Sequence, residues 1–324
     1  MQSPPPAIVV VLGTGGTISG SAASPDDNLG YVAGSVGVDA LVAAVAGPTG
    51  VKVETEQIAQ LDSKDMDFAT WQRLAQRVVH HAARPEVAGV VVTHGTDTLE
   101  ETAYFLARVV AAAKPVVLTG AMRPATSREA DGPRNLADAI AVAAAAGRAG
   151  VVVAFAGTLH SARDVRKVHS SRLDAFASGD AGPLGRIEAG RLDVMRPWPA
   201  EDALGLECLP PAGAPWPWVE IVASAAGVDG RAVRALVGAG VDGLVVAATG
   251  NGSVHRELAV VLEQAALPAG IPMLRATRCL DGGVAAKAEP FALASADDLT
   301  PVKARVELVL QLLRARRPGG AAPG

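Results

Sequence analysis

A run of β-branched residues that ends at a cluster of polar side chains constrains the fold of this chain more than any other feature. Val90, Val91 and Val92 form a continuous apolar run, which is typical of a strand buried on both faces of a parallel sheet. From Leu99 onward, apolar positions recur at helical spacing, which predicts a helix. Residues 93–98 therefore form a loop at the carboxyl end of a strand, where open α/β sheets bind ligands.

The same order of strand, polar loop and helix recurs through the first part of the chain. Strands are predicted at residues 8–12, 51–58, 90–92, 115–119 and 151–155. Helices are predicted near residue 39, across Trp71, Leu74 and Val78, from residue 99, and over 135–147. This alternation predicts an α/β fold with a parallel doubly wound sheet.

The chain is long enough for two domains, and its composition shifts between them. With 324 residues it can bury two hydrophobic cores. Prolines interrupt regular structure between residues 179 and 217. We therefore predict an N-terminal catalytic α/β domain over 1–195, a proline-rich linker over 196–217 and a smaller C-terminal α/β domain over 218–324. The smaller domain has predicted strands at 219–223, 243–247 and 272–274, and predicted helices at 231–239, 253–266 and 301–316.

Charge and aromatic content argue against large polyanionic partners. The 29 basic and 33 acidic residues give a net charge of -4, too small to favour capture of nucleic acid or of an anionic membrane. Only 3% of residues are aromatic, so platforms for stacking bases are scarce. The first residues are polar and proline-rich, without the basic region and cleavage site of an export signal. These features favour a small-molecule substrate and a cytoplasmic location.

Neither metal nor cofactor binding is predicted. Cys208 and Cys279 are far apart and share no ligand spacing with histidines, and His94, His160 and His169 lie on different loops. A phosphate-binding loop is one interpretation of the glycine-rich segment 13–20, which follows the first strand. Its glycines do not fit the dinucleotide spacing, and no lysine stands at the position that a nucleotide loop needs. The segment instead presents threonine hydroxyls on tightly turned backbone.

Asp97 has two interpretations. With Glu100 three residues later, it forms a potential capping box for the helix that follows. A carboxylate at a strand exit is also a natural anchor for a substrate ammonium group. Thr93, His94 and Thr96 exceed what a helix cap requires, so both roles are predicted together.

Two motifs resemble those of the bacterial-type L-asparaginases, which hydrolyse the side-chain amide of asparagine. They are GTGGTI at residues 13–18 and THGTDTLEET at 93–102. Shorter similar segments lie at Tyr31, 36–38, 62–66, 120–124, 130–133, 163–167, 182–185 and 250–252, so the resemblance spans nearly the whole chain.

The resemblance implies a role for each matching residue. Thr14 is the implied nucleophile, and Tyr31 approaches its hydroxyl from a flexible lid. Thr96 and Lys167 handle protons and the water that resolves the acyl-enzyme, although which threonine attacks first stays open. Asp97 holds the substrate ammonium group and Ser63 its α-carboxylate. An amide is a poor electrophile, so an activated hydroxyl and donors to the oxyanion are required.

The chain departs from the family pattern in two places. Lys64 stands where many members carry glutamine, which leaves the preference for asparagine over glutamine open. The acidic residue that the second domain usually contributes has no clear equivalent; Glu289 and Asn251 are the candidates. The implied substrate-binding set is Ser63, Lys64, Gly13, Thr96, Asp97 and Asn251. In this family such second-domain residues reach a neighbouring subunit, which implies a homotetramer, or at least a homodimer with shared active sites.

Two other functions fit parts of the sequence. The amidase subunit of a tRNA-dependent amidotransferase shares these motifs, but it needs an additional N-terminal module, and the first strand here begins by Ile8. A non-catalytic amino-acid sensor on the same fold is the second alternative. The presence of Thr14, Thr96, Asp97 and Lys167 argues against it. The resemblance therefore favours an L-asparagine amidohydrolase without metal or cofactor.

Overall fold

Alternating strands and helices build two units of the chain. The computed structural model describes residues 7–45, 50–145, 147–199, 202–285 and 293–317. The chain divides into a unit of residues 1–206 and a unit of residues 207–324. The division falls within the predicted linker, while the domain limits stay predictions.

The first unit contains an eight-stranded sheet and a separate strand pair. The strands are β1 Ala7–Gly15, β2 Val51–Leu61, β3 Val87–Thr93, β4 Pro115–Thr119, β5 Gly150–Phe155, β6 Thr158–Ser161, β7 Arg166–Lys167, β8 Phe176–Ala177, β9 Gly185–Glu188 and β10 Arg191–Val194. The sheet has the order β10-β9-β6-β5-β4-β3-β1-β2, and β7 pairs with β8 alone. Strands β1 to β5 are parallel to one another, as predicted.

The edge beyond β5 is antiparallel, which the sequence pattern did not indicate. Strand β6 returns along β5 after a two-residue turn at Ala156 and Gly157, and both turn residues have positive φ. Such a turn is enough to join antiparallel strands, whereas a parallel connection needs a crossover of a dozen or more residues. Strands β9 and β10 extend the sheet in the same antiparallel manner.

Among the residues that the structure describes, four α-helices lie on the two faces of this sheet. They are α1 Val38–Ala43, α2 Phe68–Ala82, α3 Leu99–Val109 and α4 Gly132–Ala144. Helices α1 and α4 share one apolar cluster with alternate residues of the central strands. Trp71 of α2 stacks on Phe105 of α3, and Leu74 and Val78 are buried as predicted. Helix α4 begins three residues before its predicted start because Pro133, which lacks an N–H, fits the first helical turn.

The second unit is a smaller α/β fold with a four-stranded sheet. Its strands β11 Val219–Ala223, β12 Gly243–Ala248, β13 Met273–Thr277 and β14 Ala294–Ser295 are parallel and lie in that order. Its helices are α5 Arg231–Gly238, α6 Arg256–Val261 and α7 Pro301–Ala315, and a π-helical turn at Leu262–Ala266 follows α6. The two-domain α/β fold class is therefore confirmed. Within the described ranges, every helix is too short or too polar to cross a bilayer.

Candidate active site

Three neighbouring parallel strands bring the predicted motifs to one edge of the sheet. Strands β2, β1 and β3 are adjacent, and Gly13 of β1 lies opposite Thr93 of β3. The Thr14 side chain is buried, and its hydroxyl donates a hydrogen bond to the Thr93 carbonyl oxygen at 3.0 Å. The glycine-rich segment and the loop after β3 are therefore parts of one site.

Glycines allow the loops at this edge to touch through their backbones. Gly16 has a φ of 80°, and a Cβ there would lie 2.2 Å from the Cα of Gly95. A Cβ on Gly95 would lie 2.5 Å from the Ser63 Oγ. Any side chain at these positions would force the loops apart. The glycines of the first motif therefore serve close backbone packing, and the sequence pattern alone did not reveal this contact.

Ser63 is joined to the loop after β3 by two hydrogen bonds. The Asp97 N–H donates to the Ser63 Oγ at 3.2 Å, and the Thr98 hydroxyl donates to the Ser63 carbonyl oxygen at 2.8 Å. Ser63 is buried, whereas the Asp97 side chain is 58% exposed. This arrangement places a buried hydroxyl beside the backbone of an accessible carboxylate residue.

Lys167 contacts the same loop through its side chain. Its Nζ donates to the Thr96 hydroxyl at 2.9 Å and lies 2.6 Å from Asp97 Oδ1. Thr96 is buried, and the Lys167 side chain is only 17% exposed. Lys167 lies on the short strand β7, outside the main sheet. Strand β6 runs antiparallel to β5 and leads away from this edge, and residues 162–165 connect it to β7.

The predicted capping box of Asp97 and Glu100 is wrong. Helix α3 begins at Leu99 with Thr98 as its N-cap residue, and the Thr98 side chain forms no capping hydrogen bond. Asp97 lies one residue before the N-cap, and its carboxylate pairs with Lys167. Glu100 Oε1 accepts a hydrogen bond from the Lys167 backbone N–H at 3.2 Å. The carboxylates of Asp97 and Glu100 thus both bind Lys167, and these tertiary contacts replace the local hydrogen bonds of a helix cap.

His94 forms part of a buried hydrogen-bond chain. Its Nδ1 lies 2.7 Å from the Gly95 carbonyl oxygen, which requires Nδ1 to donate. The Thr102 hydroxyl then donates to His94 Nε2 at 2.9 Å and accepts from Trp71 Nε1 at 2.8 Å. Burial lowers the pKa of His94 to about 4, so the ring is neutral at physiological pH. The imidazole links helices α2 and α3 to the loop instead of facing a ligand.

Tyr31 lies in the long segment between β1 and α1. Its hydroxyl is 2.7 Å from the hydroxyl of Thr17, and its ring lies close to Gly20. The contact that orients Tyr31 is therefore to the second threonine of the glycine-rich motif. The predicted approach of Tyr31 to Thr14 stays a prediction.

The remaining predicted residues have different environments. The Lys64 side chain is exposed and pairs with Asp62 and Asp65, and the hydrogen bond that it donates to Asp65 raises the Lys64 pKa. The Gly13 carbonyl oxygen accepts a hydrogen bond from Gln57 at 3.0 Å. Asn251 lies in an exposed turn after β12 and accepts the N–H of Ala285 at 2.8 Å. Glu289 falls outside the described residues.

The histidines considered for metal binding have other partners. His160 pairs with the Ser178 hydroxyl at 2.7 Å, and His169 accepts the backbone N–H groups of Ser171 and Arg172. In the part of the chain that the structure describes, no three His, Cys, Asp or Glu side chains cluster as metal ligands. The polar groups that meet at this edge of the sheet include hydroxyls, a primary amine and a carboxylate.

Comparison with known proteins identifies relatives along the whole chain. The family model described as Asparaginase, N-terminal, matches residues 8–200, and the Glutaminase/Asparaginase C-terminal domain matches residues 218–319. Curated relatives named L-asparaginase or glutaminase-asparaginase are 36 to 38% identical to this chain. The resemblance noted in the sequence motifs is thereby confirmed.

Three of these similarities show how far the match extends. A probable periplasmic L-asparaginase of Haemophilus influenzae is 37% identical, with 96% of this chain and 90% of the relative covered. A glutaminase-asparaginase of Pseudomonas fluorescens biotype A is 36% identical, with 96% and 87% covered. The crystal structure of a probable cytoplasmic L-asparaginase from Campylobacter jejuni is 39% identical, has a TM-score of 0.89 and covers 97% of both chains. The chain therefore belongs to the asparaginase family.

Proposed function

We propose that this protein hydrolyses the side-chain amide of L-asparagine to L-aspartate and ammonia through a threonine nucleophile. The observation that carries the proposal is the contact of the Lys167 amine with the Thr96 hydroxyl and the Asp97 carboxylate. Thr96 and Asp97 lie in the loop after β3, and Thr93, the last residue of β3, accepts the hydrogen bond of the Thr14 hydroxyl. The family membership and the names of the relatives support the same reaction.

In the first half of the reaction, the Thr14 hydroxyl oxygen attacks the amide carbonyl carbon of the substrate. The hydroxyl proton passes to a base as the C–O bond forms, and the carbonyl oxygen becomes an oxyanion. When the tetrahedral intermediate collapses, the C–N bond breaks and the amide nitrogen takes a proton to leave as ammonia. The product is an ester between aspartate and the threonine. The same scheme applies if Thr96 attacks first, and the order stays open.

In the second half, water attacks the ester carbonyl carbon. A hydroxyl in contact with an amine relays a proton when the amine alternates between its charged and neutral forms. The Thr96 hydroxyl and Lys167 Nζ have this geometry at 2.9 Å, so we assign proton transfer from the water to this pair. Aspartate then leaves and the threonine regains its proton.

In this proposal a carboxylate holds the ammonium group of the substrate, and a hydroxyl donor holds its α-carboxylate. The Asp97 carboxylate is exposed enough to accept the α-ammonium group. The Ser63 hydroxyl accepts the Asp97 N–H, and a hydroxyl that accepts keeps its own O–H for donation to the α-carboxylate. Tyr31 closes over the bound amino acid in this proposal. Gly13 and Lys64 belong to the same proposed binding set.

A homo-oligomer, either a tetramer or at least a dimer with shared sites, completes the proposal. Asn251 from the second unit is proposed to reach a neighbouring subunit's site, with Glu289 as the acidic candidate. Sedimentation equilibrium measures the assembly. A mixture of Thr14→Ala and Asn251→Ala proteins tests sharing, because recovered activity after mixing requires one intact site built from two chains. A monomer with full activity would contradict this part.

An ammonia assay with L-asparagine, L-glutamine and buffer alone tests the reaction. We expect hydrolysis of asparagine, with slower hydrolysis of glutamine as a secondary activity. Binding of either amino acid without ammonia release would favour the sensor alternative. Cell fractionation tests the proposed cytoplasmic location, since the similar proteins carry both cytoplasmic and periplasmic names.

A further inference from the structure

The backbone of Lys167 has little support from sheet pairing. Strand β7 contains only Arg166 and Lys167, and it pairs with Ala177 and Phe176 of β8. This pair is separate from the eight-stranded sheet. A flexible stem of four carbons joins the lysine amine to its backbone. A displaced backbone would therefore carry the amine away from its partners. Other contacts must hold the strand pair in place.

The β8 side of the pair is fixed to the main sheet. The ring of Phe176 packs on Phe155 at a centroid distance of 4.7 Å, and Phe176 is buried. Ser178, just after β8, pairs with the buried His160 of β6 at 2.7 Å. These contacts position β8, but they do not touch the Lys167 backbone.

Glu100 fixes the β7 side, and we infer that it is a positioning residue for the reaction proposed above, on which this inference rests. Its Oε1 accepts the Lys167 backbone N–H at 3.2 Å, while Lys167 Nζ returns to Thr96 and Asp97. Both ends of the lysine are therefore held by residues 96–100. Glu100 lies in the first turn of α3, so it is rigidly connected to the loop that carries Thr96. It orients the amine without touching substrate.

The acceptor function of Glu100 is separable from its charge. Glu100→Ala removes both the acceptor and the charge. Glu100→Gln keeps an oxygen acceptor on a side chain of the same length. Glu100→Asp keeps the charge near the helix N-terminus, but its shorter side chain moves the oxygen away from the Lys167 N–H. Because a displacement of about 1 Å costs up to about a hundredfold in rate, we expect Ala and Asp to lower kcat about ten- to a hundredfold with KM changed less than about threefold. Glu100→Gln stays within about threefold of wild type.

A matched control lies in the connection between the two strands of this pair. Asp174 pairs with Arg172 in the exposed connection between β7 and β8. Asp174→Asn removes a surface ion pair without contacting Lys167, and we expect an unchanged kcat. Thermal unfolding of every variant reports whether the fold persists.

Amide hydrogen exchange of Lys167 tests the contact without reference to activity. Exchange should accelerate in Glu100→Ala and Glu100→Asp, and it should stay slow in Glu100→Gln and Asp174→Asn. Wild-type kcat in Glu100→Ala, equal loss in Glu100→Gln and Glu100→Ala, or unchanged Lys167 exchange would each overturn the inference. A wild-type protein that releases no ammonia would instead refute the proposed function, while the exchange measurement would still decide the Glu100 contact.

Discussion

The loop after β3 and the turn after β2 both carry polar side chains at the same edge of the sheet, but they hold them differently. His94 and Thr96 are buried in the loop, and His94 forms hydrogen bonds through both ring nitrogens. In the turn, Lys64 is exposed and pairs with its sequence neighbours Asp62 and Asp65. Buried polar groups must have partners and therefore define one geometry, whereas exposed pairs contribute little. We therefore expect the loop to fix the geometry of the catalytic groups, and Lys64 in the turn to influence the choice between asparagine and glutamine.

The largest effect is expected from removal of the reacting groups. Thr14→Ala and Lys167→Met should reduce ammonia release from asparagine to background, at least about a hundredfold, because they remove the nucleophile and the proton-transfer amine. Steady-state ammonia release and circular dichroism measure activity and folding. Thr14→Ser keeps a hydroxyl and is the control with residual activity. Full activity in either disruptive variant would refute the mechanism.

A large effect on stability is expected from Thr102→Val in the buried chain. The change keeps the shape of the side chain but leaves Trp71 Nε1 and His94 Nε2 without their shared partner. Each unsatisfied buried group costs about 1–3 kcal/mol, so with two such groups the free energy of unfolding should fall by roughly 2–6 kcal/mol. Urea denaturation measures the loss. The same replacement at half-buried Thr158 of β6 is the control, and equal effects at both sites would contradict the role of the chain.

The pH dependence of stability is the next largest effect. The pKa of His94 is about 4 in the folded state and 6.5 for the unperturbed group. The unfolded chain therefore binds more protons between these values, so stability is complete above about pH 6.5 and falls as the pH approaches 4. The expected loss is about 3 kcal/mol. Denaturation of wild type and His94→Gln across this range measures the difference, and exposed His169→Gln is the control. Parallel curves for wild type and His94→Gln would contradict the assignment.

The smallest effect is expected at the exposed turn. Lys64→Gln should change the ratio of kcat/KM for glutamine and asparagine by about threefold, because an exposed cation is strongly screened by water. Parallel assays with both amides measure the ratio. Lys52→Gln removes a similarly exposed lysine from β2 and is the matched control. An unaltered ratio would show that Lys64 does not determine selectivity.

Much of the fold was predictable because a strand buried on both faces has a recognisable run of apolar residues in the sequence. Val90 to Val92 and Pro115 to Thr119 are continuous apolar runs, and the structure confirms both as strands. The strand β6 was missed because four residues after a tight turn leave no periodic signal. Its pairing with β9 joins residues that are far apart along the chain, which no local pattern encodes.

The candidate site was predictable as a set of residues but not as a set of contacts. Thr14 lies near the carboxyl end of β1, and Thr96 and Asp97 lie in the loop after β3, so their convergence on one edge follows from parallel topology. Glu100 was interpreted as a cap because its spacing from Asp97 satisfies a local rule. The carboxylate binds the Lys167 backbone instead, because a partner distant in sequence outcompetes the helix end.

The sequence by itself determined the alternation of strands and helices, the division into two units and the family of the chain, because hydrophobic periodicity and motif spacing are local properties. Only the tertiary structure decided which groups meet. The backbone contact of Gly16 with Gly95, the hydrogen bond from Trp71 to Thr102 beside His94, and the contacts at both ends of Lys167 all join segments that are far apart along the chain. Their physical reason is packing: once the strands are adjacent, each buried polar group must take the partner that the neighbouring loop offers.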